Sequence, residues 1–234
     1  MILDEISIMR RLVADEKERI VITPIIDAGE QFGPSSIDLR LGIHFKVIRR
    51  TEYAGLNPAD PKEKIKNDII RYCENIDVEL PNALVLHPGE FALSSTLEYI
   101  KLPRDIAARL EGRSSWGRLG LQIHSTAGFV DPGFAGTLTF ELNNVGRVPF
   151  YIYPGTRVAQ ISFYELKEES TYPYDIKKYH KYQGDIRPAF SECYEDPEFD
   201  KLRKMINKGH FCSNCGKKIS AEDKFCKHCG KKLA

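Results

Sequence analysis

The chain has 234 residues, 42% of them hydrophobic and 29% charged, the composition of one substantial globular domain with a small appendage. Its 34 basic and 33 acidic side chains nearly cancel, so net charge gives no reason to expect bulk DNA as a partner. No apolar run approaches the roughly 20 residues of a bilayer-spanning helix, and Asp4, Glu5, Asp15, Glu16 and Glu18 are foreign to a signal peptide. A cytoplasmic, non-membrane protein is the expectation.

Ile6, Met9, Leu12 and Val13 fall at helical spacing and predict a helix over 3–18. Ile20 to Pro24 reads as a short extended piece, and 29–36, rich in Gly, Pro and Ser, as a loop. Ile37, Leu39, Leu41, Ile43, Phe45 and Val47 alternate with Asp38, Arg40, His44 and Lys46, the pattern of a half-buried strand. Residues 51–70 are polar and proline-bearing, hence a surface loop or insertion. Cys73 follows with no histidine nearby in sequence, an incidental thiol rather than a nucleophile.

Between Val78 and Phe163 short apolar runs recur at 83–86, 90–95, 97–102, 106–110, 120–124, 137–142, 148–153 and 157–163. Pro81, Pro88-Gly89, Pro103, Asp131-Pro132-Gly133, Gly146 and Pro154-Gly155 separate them, which argues for an all-β barrel or sandwich. Residues 166–190 set Tyr172, Tyr174, Tyr179 and Tyr182 among lysines, either an exposed tail or a flap over a ligand. A short charged helix is predicted over 196–209.

One cluster stands out. Arg113-Ser114-Ser115-Trp116-Gly117-Arg118-Leu119-Gly120 combines guanidinium forks and hydroxyls with glycines that let a backbone approach a ligand, a pattern suited to phosphate. Asp131 is either a turn-forming residue before Pro132-Gly133 or an acceptor for a sugar hydroxyl. In the strand pattern Thr137 to Leu142, Leu138, Phe140 and Leu142 share one face. Thr137, Thr139 and Glu141 share the other, with Thr139 and Glu141 about 7 Å apart. Glu141 is either a solvated strand carboxylate or a general base held on a rigid element.

The last residues repeat: Phe211-Cys212-Ser213-Asn214-Cys215-Gly216-Lys217-Lys218 returns fourteen residues later as Phe225-Cys226-Lys227-His228-Cys229-Gly230-Lys231-Lys232. Two C-x-x-C clasps supply four thiolates, the tetrahedral set of a structural zinc, and the following glycines suit tight turns. Four cysteines close the metal's shell, leaving no position for a reacting water. The catalytic-zinc deaminase pattern is also missing, since none of the six histidines has Glu two residues on and Phe, not Pro, precedes each C-x-x-C. His228 lies inside the second clasp and is not taken as a ligand.

Taken together, residues 113–121, His124 to Phe134 and Glu141 resemble the dCTP deaminase family of the dUTPase-like superfamily. Ser36-Ile37-Asp38-Leu39-Arg40-Leu41-Gly42 and Leu86-His87-Pro88-Gly89-Glu90-Phe91 are similar to its N-terminal signatures. Tyr153-Pro154-Gly155-Thr156-Arg157-Val158-Ala159-Gln160 and Lys181-Tyr182-Gln183-Gly184 are similar to its C-terminal ones. The collinear match spans about residues 20–190 and leaves the zinc ribbon outside it.

The resemblance implies a mainly β fold, a β-clip or distorted barrel with an N-terminal helix, assembled as a homotrimer with sites between subunits. Residues 1–190 would form the nucleotide domain, 191–210 a linker and 211–234 the ribbon. It implies hydrolytic deamination of dCTP to dUTP without a catalytic metal, with Mg²⁺ accompanying the triphosphate. Glu141 would activate water, helped by Ser114, Arg118 and the backbone at Ala127. Arg113 and Ser115 would bind phosphates, Asp131 the deoxyribose hydroxyl, and Thr139 with Phe140 would lie along the base. Gln160, Lys181 and an aromatic from Tyr172 or Tyr174 would belong to a closing tail. Where relatives carry a glutamine after Lys-Tyr-x-x, Asp185 stands here, with Gln183 as a substitute. Members either release dUTP or continue to dUMP and diphosphate, and Ser125-Thr126-Ala127-Gly128-Phe129 is closer to the bifunctional branch. The alternatives are a dUTPase alone, or a non-catalytic nucleotide-binding regulator whose ribbon contacts protein or nucleic acid.

Overall fold

The computed structural model describes residues 1–48, 55–177, 180–208, 210–220 and 223–233; Tyr179 and residues 51–54 lie outside these. In chain order the elements are α1 (Glu5–Leu12), β1 (Val21–Thr23), α2 (Ala28–Gln31), β2 (Ile37–Ile48), α3 (Lys62–Tyr72), β3 (Cys73–Asp77), β4 (Leu84–Leu86), β5 (Phe91–Lys101) and β6 (Ile106–Gly112). Then follow α4 (Ser114–Gly117), β7 (Leu121–Gln122), β8 (Phe129–Val130), β9 (Ala135–Asn144), β10 (Phe150–Ile152), β11 (Arg157–Glu165), α5 (Pro197–Lys208), β12 (His210–Phe211) and β13 (Lys218–Ile219). The chain divides into two compact units, Met1–Arg50 with Tyr72–Phe190, and Thr51–Arg71 with Ser191–Ala234.

The first unit is a curled antiparallel sheet, ordered β7-β9-β5-β2-β11-β6-β8, with β1 added on β5 and β3 on β2. The alternation of β2 holds in part: Ile37, Leu39, Leu41 and Phe45 are buried while Asp38 and Arg40 are half-buried on the other face, but the pattern breaks after Leu41, and Ile43 and Val47 are only half-buried. β9 alternates along its whole length. The inward residues of these strands and of β11, among them Phe45, Phe140 and Phe163, meet in one core. Burying each such side chain is worth about 1.5–3 kcal/mol, which fixes register because a one-residue slip would turn the whole set outward.

The two apolar runs at 90–95 and 97–102 are one strand, β5, broken by a register shift between Ser95 and Tyr99 where it pairs with β9. β2 has a matching irregularity between Leu41 and Phe45. At that bend the main chains approach so closely that a Cβ on Gly42 would sit 3.0 Å from the Ser95 carbonyl oxygen. The interrupted ladder is completed by side chains: Thr96 Oγ1 donates to the Glu98 carbonyl at 2.6 Å and accepts from Leu138 N–H at 3.0 Å.

Three local expectations differ. The N-terminal helix stops at Leu12, because Ile20 N–H donates back to the Arg11 carbonyl and the chain doubles back to bury Ile20 completely. The 29–36 loop begins with a single helical turn, α2, capped by Asp27 through Glu30 N–H at 3.1 Å. Residues 62–72 are helix α3, in the second unit apart from its last residue; Ile65, Ile69 and Tyr72 are buried at helical spacing, a stripe hidden among lysines and acids. The charged helix expected near 196–209 is α5, tied to α3 by Lys62–Asp200 at 3.4 Å, while Glu195, in the turn just before it, lies 3.2 Å from the same Lys62.

Candidate active site

Glu141 stands on the half-buried face of β9 with Thr137 and Thr139, opposite the buried Leu138, Phe140 and Leu142. Its N–H donates to the Ile123 carbonyl at 2.8 Å, and its Oε2 accepts the Ser125 N–H at 2.8 Å. The carboxylate is therefore fixed against the segment that follows β7, next to the exposed Ala127. Gly128 allows this segment to close, since a Cβ there would lie 2.6 Å from the Leu110 carbonyl oxygen and 2.8 Å from His124 Nε2. Phe140 is wholly buried, so only its main chain is available to the face that carries Thr139.

The Arg113–Arg118 stretch is a tight turn at the end of β6. Arg113 occupies the N-cap of α4 with no side-chain cap, and Ser114, Ser115 and Arg118 are exposed. Arg118 makes no side-chain hydrogen bond or ion pair among the described residues. Arg113 is held: its Nε lies 3.2 Å from Asp38 Oδ2, and its guanidinium donates to the Arg157 carbonyl at 3.2 Å. Trp116 Nε1 donates to the same carbonyl at 2.8 Å, and its ring meets Phe150 edge-on. Asp38 also pairs with Arg157 at 3.2 Å, so one carboxylate orients two guanidiniums. Burial pushes the Asp38 carboxyl up, against the pull of Arg113, Arg157 and Arg40. Gln160 sits directly across from Asp38 in the β11–β2 pair.

Behind Asp38 lies a buried polar network. Gln31 accepts Ile26 N–H and Asp27 N–H on its Oε1 and donates to the Asp38 carbonyl and to Glu98 Oε1, both at 3.1 Å. Glu98 Oε2 accepts Arg40 N–H at 2.9 Å. Glu98 has no exposed surface, and desolvation pushes its carboxyl up to about 7 in spite of these donors.

The tail docks on its own β9. Gln183 accepts Ala135 N–H at 3.1 Å and donates to the Gly133 carbonyl at 3.2 Å, which uses both ends of its amide. The Asp185 carbonyl accepts Thr137 N–H at 2.7 Å, while burial raises the Asp185 carboxyl. Ala189 N–H donates to Thr139 Oγ1 at 3.2 Å, and Lys177 Nζ lies 3.3 Å from Asp131 Oδ2. Tyr174 packs edge-on against Phe134, and its hydroxyl accepts Lys181 N–H at 3.4 Å and Tyr182 N–H at 3.2 Å. Tyr172 is exposed.

Within one chain the expected residues thus form two groups. Glu141, Thr139, Asp131, Tyr174, Lys181 and Gln183 gather around β9 and the tail. Arg113, Ser114, Ser115, Arg118 and Gln160 gather around the α4 turn and the β2–β11 pair. Among the described residues no hydrogen bond or ion pair joins Glu141 to the arginine group. Sequence reasoning gave no role to Asp38, Arg157, Gln31, Glu98 or Lys177. Alternation placed Asp38 and Arg40 on one strand face, and that was the available signal.

In the second unit, Cys212, Cys215, Cys226 and Cys229 bring their sulfurs within 4.8 Å of one another, with Cys212–Cys229 at 3.5 Å and Cys215–Cys226 at 3.6 Å. A tetrahedron of Zn–S bonds of about 2.3 Å has edges of about 3.8 Å, so the donor set fits that ion in size and chemistry. Gly216 and Gly230 adopt φ of +68° and +72°, each turning its N–H back to the first cysteine of its clasp at 2.8 Å. Asn214 and His228 direct their N–H groups to Cys212 and Cys226 sulfur at 3.4 Å.

The fold is a curled antiparallel sheet with a carboxylate on one strand, β9, and a Ser/Arg turn at the end of another, β6. A family model described as dCTP deaminase-like matches residues 4–166, and one described as a zinc-ribbon domain matches 211–233. A "dCTP deaminase, dUMP-forming" from Dictyoglomus turgidum is 46% identical over 82% of this chain and 94% of its own. A "dCTP deaminase" from Halorubrum lacusprofundi is 39% identical over 85% of this chain and 94% of its own. Among solved structures, the 2'-deoxycytidine 5'-triphosphate deaminase from Agrobacterium tumefaciens aligns with a TM-score of 0.52 and 26% identity, over 69% of this chain and 47% of that one. The chain belongs to the dCTP deaminase-like family.

Proposed function

We propose that this enzyme hydrolyses dCTP to dUTP and ammonia and carries it on to dUMP and diphosphate, one water consumed in each step. The observation that carries the reading is Glu141: a carboxylate on a rigid strand, held by the Ser125 N–H, facing the same side as Thr139. Water at neutral pH needs a base to attack C4 of cytosine. Glu141 takes that proton as the C4–O bond forms and returns one to the departing amino group, which leaves as ammonia. Ser114, Arg118 and the Ala127 main chain position the water and the base, and Thr139 with the Phe140 main chain lies along the base edge. Arg113 and Ser115 take phosphate oxygens, and Asp131 takes the deoxyribose hydroxyl, exchanging its contact with Lys177. Gln160, Lys181 and Tyr174 line the closing side, with Gln183 as the clasp that holds the tail to β9.

The lack of any hydrogen bond or ion pair between the two groups among the described residues supports a homotrimer in which the arginine turn of one subunit completes the Glu141 group of the next. Mg²⁺ enters with the triphosphate and screens its charge. Cys212, Cys215, Cys226 and Cys229 hold a structural Zn²⁺. The higher identity to the dUMP-forming relative, 46% against 39%, favours the two-step outcome.

The test is to incubate the protein with dCTP and Mg²⁺ and assay ammonia and diphosphate separately. Both products in equal amounts support the full reaction; diphosphate without ammonia would leave only a pyrophosphatase. Glu141→Gln should lower kcat about 10²–10⁴-fold while retaining dCTP binding. Turnover at the wild-type rate would remove Glu141 from the mechanism.

A further inference from the structure

The chain's near-neutral charge hides a segregation. The ribbon, residues 211–234, contains six lysines against two acids, Glu222 and Asp223, so residues 1–210 keep 28 basic and 31 acidic side chains. The two negative charges of a zinc tetrathiolate still leave the ribbon at about +2. Such asymmetry marks a surface for a polyanion.

The ribbon carries a second feature. Phe211 and Phe225, each just before a clasp, are 59% and 56% exposed although they are among the few large apolar side chains of the ribbon. β12–β13 pairing sets Phe211 directly across from Lys218, and an isolated bridge sets Phe225 across from Lys232. Directly paired residues in a hairpin project to the same side with Cβ atoms about 5 Å apart. The repeat thus presents two copies of one unit, an open aromatic ring beside an ammonium group. Lys217, Lys224, Lys227 and Lys231 are exposed around them; Lys227 pairs with Asp223 at 3.0 Å and Lys231 with Ser213 Oγ at 3.3 Å.

We infer that the ribbon binds single-stranded nucleic acid, stacking unpaired bases on Phe211 and Phe225 and setting Lys218 and Lys232 against the flanking phosphates. Any polyanion would meet the charge. Unpaired bases are what the flat rings add, since in a duplex the base faces are already stacked. A lipid surface fits the ribbon less well: Ile219 and Leu233 are partly covered, which leaves two separate rings and no apolar stripe among its described residues.

Zinc-loaded full-length protein is titrated with a fluorescein-labelled 20-nucleotide single strand of mixed sequence, with the matching duplex, and with phosphatidylserine vesicles. The single strand should bind more tightly than the duplex, with affinity falling steeply between 50 and 200 mM salt. Phe211→Ala/Phe225→Ala should weaken single-strand binding at least tenfold and leave duplex binding unchanged, with zinc content and dCTP turnover as in wild type. Lys218→Glu/Lys232→Glu should weaken both and flatten the salt dependence. No binding to the single strand, equal binding to both nucleic acids with no effect of the phenylalanine changes, or binding to vesicles alone would each overturn the inference.

Discussion

The β unit and the ribbon solve the problem of holding a fold in opposite ways. The β unit buries Phe45, Phe140 and Phe163 in one continuous core and can place a carboxylate such as Glu141 on a strand with rigid support. The ribbon covers little beyond Cys212 and Cys226 and leaves both phenylalanines in solvent, so its four thiolates must do the work of a core. A segment this short cannot bury enough apolar surface to offset its chain entropy. Stability in the first unit is spread over many side chains; in the ribbon it would rest on the one ion that four thiolates fit.

Removing that ion tests the contrast most severely. Structural zinc in comparable small modules contributes on the order of 10–16 kcal/mol, so chelation or Cys212→Ser should unfold the ribbon outright. Amide exchange should show protection lost across 211–233 while that of β2, β5, β9 and β11 is kept. Ammonia release from dCTP should continue. If the strands lose protection together with the ribbon, the two units are one cooperative structure and the contrast fails. The converse change, Phe163→Ala on β11, should cost the β unit about 3–5 kcal/mol and leave the stoichiometry of bound zinc at one per chain. Calorimetry with a zinc assay checks both halves.

Both kinds of stabilisation were legible in the sequence to different degrees. The C-x-x-C-Gly repeat specified the ribbon almost completely, because metal ligation is local and spacing is all it needs. Strand alternation also exposed the faces of β2 and β9, including the side on which Glu141 stands. What alternation cannot encode is which side chains meet across strands. Asp38 was visible as an outward residue, but its bridging of Arg113 and Arg157 depends on β2 lying beside β11 and β11 beside β6. The bend at Gly42 and Ser95 was read as a gap between two strands, since an interrupted ladder and a turn look alike in one dimension. Helix α3 was missed because its stripe of Ile65, Ile69 and Tyr72 is diluted by charges that pair with the C-terminal segment.

That bend makes the smallest prediction, and it separates the units by the sign of their pH response. Glu98 has an ordinary value of 4.5 and is pushed up to about 7 by burial. The folded β unit therefore holds a proton that the unfolded chain releases. The stability this provides is complete below pH 4.5, falls as pH rises through the interval, and is gone above about 7. A shift of that size corresponds to at most about 3 kcal/mol. Replacing Glu98 with Gln removes the titration, so the variant's stability relative to wild type should rise between pH 4.5 and 7 and then level off. The absolute offset will depend on how the amide meets the Arg40 and Gln31 donors, so the slope is the quantity to read, from urea unfolding monitored at Trp116. The ribbon should respond in the other direction, because protons compete with zinc for thiolates and its stability falls as pH falls. Parallel wild-type and Glu98→Gln slopes would mean that Glu98 stays ionised in the fold, with the Arg40 and Gln31 N–H donors outweighing its loss of water.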